Sequence, residues 1–324
     1  MKKENDLVNI IKFIACFFIV LLHVIDKYDP GNYLLELGRF GVPFFLMISG
    51  YYAYKSNKKD NLDNAKKQLF KVLKITLIIL ICYSLFNCIN SYFINNHDPL
   101  YWITHHLNSK KALFKLLVFN RAYYICNIFW YFLALIYVYI IYYLLVKFNL
   151  LKYSYILIIP LIILSNIFGE FLHLEWYYSG NFLITGLPFF LLGNYLHAKK
   201  LNVNNLLLII TILLSIIIYI FEVRKFGLCF MPISAIISSI SLFILAINNK
   251  KDLLKNDISI LLKKSSMYIF YSHCMIRDAI HLIYRHYHIE FSLCTKILLV
   301  MFASFVFSII YIRLKELITN KRSQ

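Results

Sequence analysis

The stretch IIKFIACFFIVLLHV, residues 10–24, is apolar apart from Lys12 near its start and His23 near its end. Eleven residues of α-helix rise about 16.5 Å and make almost three whole turns, so the two side chains lie on nearly the same face. Ionisable groups inside a membrane span are expensive and mark functional sites. The stretch therefore predicts a membrane-spanning helix that carries a candidate site.

The rest of the chain repeats this apolar character. Its 324 residues are 60% hydrophobic, and the mean hydropathy of +0.67 exceeds that of soluble domains. A helix needs about 20 apolar residues to cross a 30 Å hydrocarbon layer. The sequence predicts an all-α, polytopic integral membrane bundle of about ten transmembrane helices, near residues 7–25, 39–54, 70–94, 129–147, 152–169, 182–198, 204–221, 229–248, 265–285 and 293–314.

We expect the first block to be retained as a helix, because no small-residue cleavage site follows Val24. No linker rich in Gly, Ser or Pro and no internal repeat divides the sequence, which predicts a single transmembrane domain over residues 1–324.

The net charge of +18 is explained by membrane topology. With the N-terminus in the cytoplasm, 22 of the 34 Lys and Arg residues fall on the cytoplasmic side and eight on the other. The positive-inside rule then predicts that both termini are cytoplasmic. The basic charge needs no nucleic-acid partner, and the sequence indicates no oligomeric state.

The seven cysteines form no C-x-x-C pair and lie mostly in apolar blocks, which is typical of buried structural thiols. His273 and His281 are eight residues apart, a poor spacing for two metal ligands, and we expect no carboxylate or cysteine to complete a set with them. We therefore predict no metal.

His23 is the first candidate for catalysis. Asp26 follows three residues later, where its carboxylate could fix the imidazole tautomer and strengthen the imidazole as a base. The alternative is an ordinary interfacial histidine at the end of a span.

The segment GRFGVPFFLMISGYY, residues 38–52, combines small residues with one cation. Gly38, Gly41 and Gly50 are typical of close helix packing, and Ser49 is a polar candidate beside Gly50. Arg39 either reaches the membrane surface or faces the same cavity as His23.

Lys71 and Lys74 lie one helical turn apart at the predicted cytoplasmic boundary, in KKQLFKVLKITLI, residues 66–78. Such a cluster attracts the phosphates of a cosubstrate, or else the headgroups of anionic lipids. Lysines would hold phosphate electrostatically rather than in the bidentate manner of arginine.

The ninth block places His273, Arg277, His281 and Arg285 at successive i, i+4 positions. Lipid would not tolerate this polar stripe, so it faces the bundle interior or a wet cavity. Alternatively, its second half is the exterior end of the helix.

The predicted exterior loop around Trp176, Tyr177 and Tyr178 is rich in aromatic residues and contains the polar residues Glu170, His173 and Glu175. Sugar rings stack on aromatic faces, and carboxylates can orient sugar hydroxyls. The alternatives are an interfacial aromatic belt and solvated loop acids.

The order of these segments resembles membrane acyltransferase family 3, especially the branch of the enterobacterial common antigen O-acetyltransferase. The first matching feature is a basic residue followed, after ten others, by a histidine. The second is a pair of cations three residues apart, which are arginines in the family, and four apolar motifs complete the match. In this chain they are Lys12 with His23, Lys71 with Lys74, Val42-PFFLMISGY, Trp130-YFLAL, FFLLG at 189–193 and YIFYSHCMI at 268–276.

The resemblance implies an O-acyltransferase in the bacterial cytoplasmic (inner) membrane. It implies that an acyl group, most often acetyl, passes from cytoplasmic acyl-coenzyme A (acetyl-CoA) to a hydroxyl of a cell-envelope glycan or its lipid-linked precursor. His23 would be the general base or the acyl carrier. The remaining expected sites are Lys12, Lys71 and Lys74 for the coenzyme, and Arg39, Ser49, Trp130, His273 and Arg277 for the substrate or cavity lining.

A transporter or flippase of lipid-linked glycan is the main alternative, since many spans with an interior polar stripe suit it too. Transporters often contain internal repeats, and none is visible in this sequence.

Overall fold

The computed structural model describes residues 5–25, 38–95, 98, 101, 102, 104, 110–122, 125–172, 174–227, 231–249 and 253–321. Of these residues, 86% are helical and none lies in a strand. The prediction of an all-α protein is confirmed.

Thirteen α-helices are defined within the described ranges, and short 3₁₀ or π-helical turns extend some of them. The α-helices are α1 (Asp6–Val24), α2 (Gly41–Ala53), α3 (Lys58–Asn95), α4 (Lys110–Phe119), α5 (Phe129–Lys147), α6 (Leu151–Ser154), α7 (Ile158–Asn166), α8 (Trp176–Ser179), α9 (Leu187–Lys199), α10 (Asn205–Phe226), α11 (Ile233–Asn248), α12 (Asn256–Tyr287) and α13 (Leu293–Lys321).

Six helical segments of the described chain are long and apolar enough to cross a membrane. They are Asp6–Val24, Lys58–Tyr92, Phe129–Lys147, Leu151–Gly169, Asn205–Phe226 and Leu293–Ile318. Helix α11 is apolar but shorter. The chain is therefore a multi-pass membrane protein, and the six segments match six of the ten predicted blocks.

Helix α10 has an exposed apolar surface that suits contact with lipid. Leu206, Leu213, Ile217 and Phe221 are all exposed along its length. A soluble protein rarely exposes so large a continuous apolar surface, whereas hydrocarbon accepts it without cost.

The chain divides into two compact units. The first consists of Met1–Phe44, Asn202–Leu228 and Ile233–Gln324, and the second of Phe45–Leu201 and Cys229–Pro232. The prediction of one functional domain stays a prediction.

In the first unit, α1 packs against α12 and α13. Asn5 caps the start of α1 by accepting a hydrogen bond from the backbone N–H of Val8. The buried carboxylate of Asp6 accepts hydrogen bonds from the backbone N–H groups of Leu253 and Leu254, at 2.9 and 3.0 Å. These bonds fix the first turn of α1 to the segment that leads into α12.

Two glycines hold the 3₁₀ turn Gly38–Phe40 and the start of α2 against α1. A Cβ at Gly38 would lie 2.8 Å from the carbonyl oxygen of Phe18, and one at Gly41 would lie 3.1 Å from the side chain of Ile19. The prediction that these glycines serve close packing is confirmed, and the contact brings Arg39 to α1.

In the second unit, α2 and α9 cross with their backbones in contact. A Cβ on Gly50 would overlap the carbonyl oxygen of Phe190, and a Cβ on Gly193 would overlap that of Met47. Asn194 stabilises the crossing by donating hydrogen bonds to the carbonyl of Gly50 and the hydroxyl of Tyr142, at 3.2 and 3.0 Å. The predicted packing role of Gly50 is confirmed.

Candidate active site

His23 and His273 meet inside the first unit. Their ring centroids are 5.3 Å apart and the ring planes are inclined by 32°. His23 lies in the last turn of α1 and is half-buried, whereas His273 lies within α12 and is fully buried. The sequence predicted both as site residues, and the structure brings them together.

A seven-residue repeat on both helices produces this meeting. Asn9 donates a hydrogen bond to the hydroxyl of Ser259 at 3.0 Å, and the thiol of Cys16 donates to the carbonyl of Ser266 at 3.0 Å. His23 and His273 come one heptad later on each helix. A shared heptad spacing keeps two helices in register along one seam, so the polar contacts below the histidines define where the histidines sit.

Arg277 connects the end of α1 to α12. Its Nη1 donates a hydrogen bond to the backbone carbonyl of His23 at 2.9 Å, while Nε and Nη2 contact the carboxylate of Asp278 at 2.8 and 2.7 Å. The last carbonyls of a helix lack intrahelical partners, and a cation there interacts favourably with the helix dipole. Arg277 therefore fixes the turn that carries His23.

The ring of His273 has a defined hydrogen-bond pattern. Its Nδ1 lies 3.0 Å from the carbonyl oxygen of Ile269, so Nδ1 carries the proton and donates it. Nε2 is then the acceptor nitrogen, and it lies 3.4 Å from the Sγ of Cys274. The donor atoms of His23, His273 and Cys274 all lie within 4.8 Å of one another.

The sequence predicted Cys274 only as a buried structural thiol, and its position beside the histidines was missed. The thiol is buried as predicted, but it lies beside both histidines. The heptad spacing of Asn9, Cys16 and His23 against Ser259, Ser266 and His273 was the available signal. The prediction that the cysteines are buried structural thiols is wrong for Cys82 and Cys294, because both are exposed on their helices.

Arg39 and Lys12 also belong to the first unit. Arg39 lies in the turn Gly38–Phe40, which packs against α1, and the expectation that it faces the cavity of His23 stays a prediction. Lys12 is half-buried, one turn before Cys16 on α1. Asp26, the predicted partner of the imidazole, lies outside the described residues.

The polar stripe of α12 is divided along its length. His273 is buried and Arg277 is partly buried, but His281 and Arg285 are exposed. The interior position is therefore right for the first two residues, and the last two fit the alternative that the second half of the stripe is the end of the helix, because α12 continues to Tyr287.

The other predicted site residues lie in the second unit. Lys71 and Lys74 are exposed on α3. Ser49 donates a hydrogen bond from Oγ to the carbonyl of Phe45 at 3.0 Å. Trp130 is buried, and its ring packs edge-to-face against Trp176 at 6.3 Å.

The aromatic loop of the second unit separates into buried and exposed residues. Tyr177 is buried and accepts a hydrogen bond from the Nζ of Lys115 at 3.1 Å, while Tyr178 is exposed beside it. Glu175 is exposed, 4.0 Å from Arg121. The predicted polar residues His173 and the side chain of Glu170 lie outside the described residues.

The fold and the site define a class: a multi-pass helical membrane protein in which a histidine at the end of the first helix meets a buried histidine of a later helix. The model of the acyltransferase 3 family, described as an acyltransferase domain, matches residues 5–313. The chain belongs to this family, and it is a membrane acyltransferase. No curated protein and no solved structure matches the chain.

The contact of Arg277 with His23 leads to a structural prediction. Replacing Arg277 with glutamine removes the cation from the end of α1, so the last turn should open more often. We expect hydrogen–deuterium exchange of the peptide around residues 20–25 to become roughly fivefold faster. Arg285→Gln, which removes an exposed arginine from the same helix, should leave this peptide unchanged. Equal exchange in wild type and Arg277→Gln would contradict the capping role.

Proposed function

We propose that this protein is an O-acyltransferase, and that it moves an acetyl group from cytoplasmic acetyl-CoA to a hydroxyl of a cell-envelope glycan or of its lipid-linked precursor. In this proposal the chain forms one module of about ten spans in the bacterial cytoplasmic membrane, with both termini cytoplasmic. The observation that carries it is the pair of His23 and His273 beside Arg277, in a chain of an acyltransferase family.

The donor would approach from the cytoplasmic end of α1. Lys12 lies eleven residues before His23, so about 16.5 Å of helix separates the two positions. A cation at Lys12 would attract the phosphates of coenzyme A, and the extended pantetheine arm would carry the thioester towards His23. Lys71 and Lys74 are further exposed cations of the type that phosphates require.

His23 has two possible chemical roles. As a general base, it takes the proton of the acceptor hydroxyl while the hydroxyl oxygen attacks the thioester carbonyl carbon. The carbon–sulfur bond then breaks, and the leaving thiolate of coenzyme A takes up the proton from the imidazolium. The products are an ester and free coenzyme A.

As an acyl carrier, the imidazole nitrogen itself attacks the thioester and releases coenzyme A. The acceptor hydroxyl then attacks the acyl-imidazole, forms the ester and returns the imidazole. Either route passes through an oxyanion on the former carbonyl. The guanidinium of Arg277, which donates a hydrogen bond to the backbone carbonyl of His23, would stabilise that oxyanion together with the proposed cavity residue Arg39.

Tyr178 is the preferred candidate for stacking on an acceptor sugar. It is exposed, whereas Tyr177 is buried against Lys115 and Phe119 and has a packing role. Exposure at Tyr178 is compatible with sugar stacking and with the alternative of an interfacial aromatic belt, whereas the burial of Tyr177 suits neither.

The lysine pair provides a test of donor binding. With Lys71 and Lys74 both changed to alanine, we expect the KM for acetyl-CoA to rise roughly five- to tenfold with little change in kcat, because two cations that hold phosphate are lost. The assay uses inverted membrane vesicles, whose cytoplasmic face is outside, and follows radiolabelled acetyl entering the endogenous acceptor.

The matched control is Lys58→Ala with Lys59→Ala, which removes the same charge from two exposed lysines at the start of α3. Its KM should equal that of wild type. If both double variants raise KM equally, or neither does, the phosphate site is wrong and anchoring to anionic lipid explains the cluster.

A further inference from the structure

His23, His273 and Cys274 have the composition of a metal site. Two imidazole nitrogens and one thiolate sulfur are ligands of borderline softness, and such sets bind Zn²⁺. Their donor atoms lie within 4.8 Å of one another. Ligands of tetrahedral zinc are about 3.3–3.6 Å apart, so closure needs a movement of roughly 1 Å, which the half-buried side chain of His23 can provide.

The hydrogen bonds around His273 already suit metal binding. A histidine that binds metal through one nitrogen typically donates its other N–H to a carbonyl or carboxylate. His273 does this through Nδ1 to the carbonyl of Ile269 at 3.0 Å. The lone pair on Nε2 is thereby directed towards Cys274, with no change of tautomer required.

The surrounding charges also allow a dication. Arg277 is the nearest cation on α12, but its guanidinium contacts the carboxylate of Asp278 at 2.7 Å. A bound thiolate of Cys274 would cancel a further unit of charge. Asp278 thus offsets the charge of Arg277, and the thiolate offsets one of the two charges of the dication.

We propose that His23, His273 and Cys274 form a zinc site whose occupation silences the enzyme. Zn²⁺ binds one nitrogen of each neutral imidazole and the sulfur of Cys274, whose proton is released to solvent. Water takes the fourth position. The inhibition rests on the proposed function, because zinc would occupy the nitrogen of His23 that acyl transfer needs. Metal binding itself does not depend on the proposed function.

Metal binding is tested on the purified full-length protein without any acyl transfer. Titration with Co²⁺, a spectroscopic substitute for zinc, should reveal one equivalent bound, with visible bands of tetrahedral cobalt and a near-ultraviolet band from thiolate-to-cobalt charge transfer. Zn²⁺ should displace the cobalt and abolish both signals.

The variant Cys274→Ser should lose the charge-transfer band and weaken zinc binding by more than the roughly 10- to 100-fold that loss of an outer-shell partner costs. Cys294→Ser removes an exposed thiol elsewhere and should bind as wild type does. Elution as a single species in detergent shows that each variant is folded. Absence of the band in wild type, or its retention in Cys274→Ser, overturns the site.

Inhibition is measured separately in inverted vesicles, with the rate of each variant expressed relative to its own rate in chelator. Zinc should inhibit wild type and Cys294→Ser, chelator should restore the rate, and Cys274→Ser should need at least about tenfold more zinc. Binding without inhibition overturns the silencing role. Bound cobalt in a protein that never transfers acetyl would instead refute the proposed function and leave the metal site standing.

Discussion

Replacing His23 with alanine is expected to lower acetyl transfer by at least about 100-fold, the smallest contribution typical of general acid–base catalysis. The loss should be complete if the imidazole carries the acyl group. The rate would be followed in inverted vesicles as radiolabelled acetyl that enters the endogenous acceptor. The fold should survive, because the bonds of Asn9 and Cys16 to α12 hold α1 in register independently of His23.

Two further variants make this result specific. His23→Gln preserves much of the side-chain volume and can form hydrogen bonds but has no basic or nucleophilic nitrogen, so it should be as inactive as His23→Ala. His281→Ala removes an exposed histidine from α12 and should retain the wild-type rate. Substantial transfer by either His23 variant would remove the imidazole from the mechanism.

Replacing Gly193 with alanine is expected to have the largest effect on folding. The added Cβ would overlap the carbonyl oxygen of Met47 and lie 2.7 Å from its carbonyl carbon, so α2 and α9 would have to separate. Overpacking in a well-packed interior costs about 1–3 kcal/mol and sometimes more, and here two backbones rather than flexible side chains are opposed. We expect little protein to elute as a single species after extraction in detergent.

Gly186→Ala is the matched control within the same unit. Its Cβ would lie 3.1 Å from the Cγ2 of Val138, a side-chain atom that can shift by a few tenths of an ångström. This variant should elute as wild type does and lose only a few degrees in its melting temperature. If Gly193→Ala behaves in the same way, the crossing of α2 and α9 is looser than described.

The length of the apolar blocks was sufficient to predict a helical fold, because a span of about 20 apolar residues has few alternatives in lipid. The sequence also predicted His23 as a site residue, since an ionisable residue in a membrane span is costly and usually functional. His273 and Arg277 were identified by their spacing on one helix, and their burial bears out that argument.

The meeting of His23 with His273 and Cys274 depends on which residues of α1 face which residues of α12. The pattern of residues along one helix does not determine which of its faces contacts which neighbour, because the apolar faces of a membrane helix are chemically similar. The register is set by specific contacts, namely Asn9 with Ser259 and Cys16 with Ser266. The exposure of His281 and Arg285 was only one of two alternatives for a related reason: the spacing of a stripe does not show where its partner helices end.

The most direct test of the central claim compares envelope glycans by mass spectrometry. The cells carry the wild-type gene, lack it, or are complemented with His23→Ala. Wild-type cells should contain a glycan bearing one additional acetyl ester, and this ester should be missing both without the gene and with the His23 variant. Identical glycans in all three strains would contradict the proposal that this protein is an envelope O-acetyltransferase.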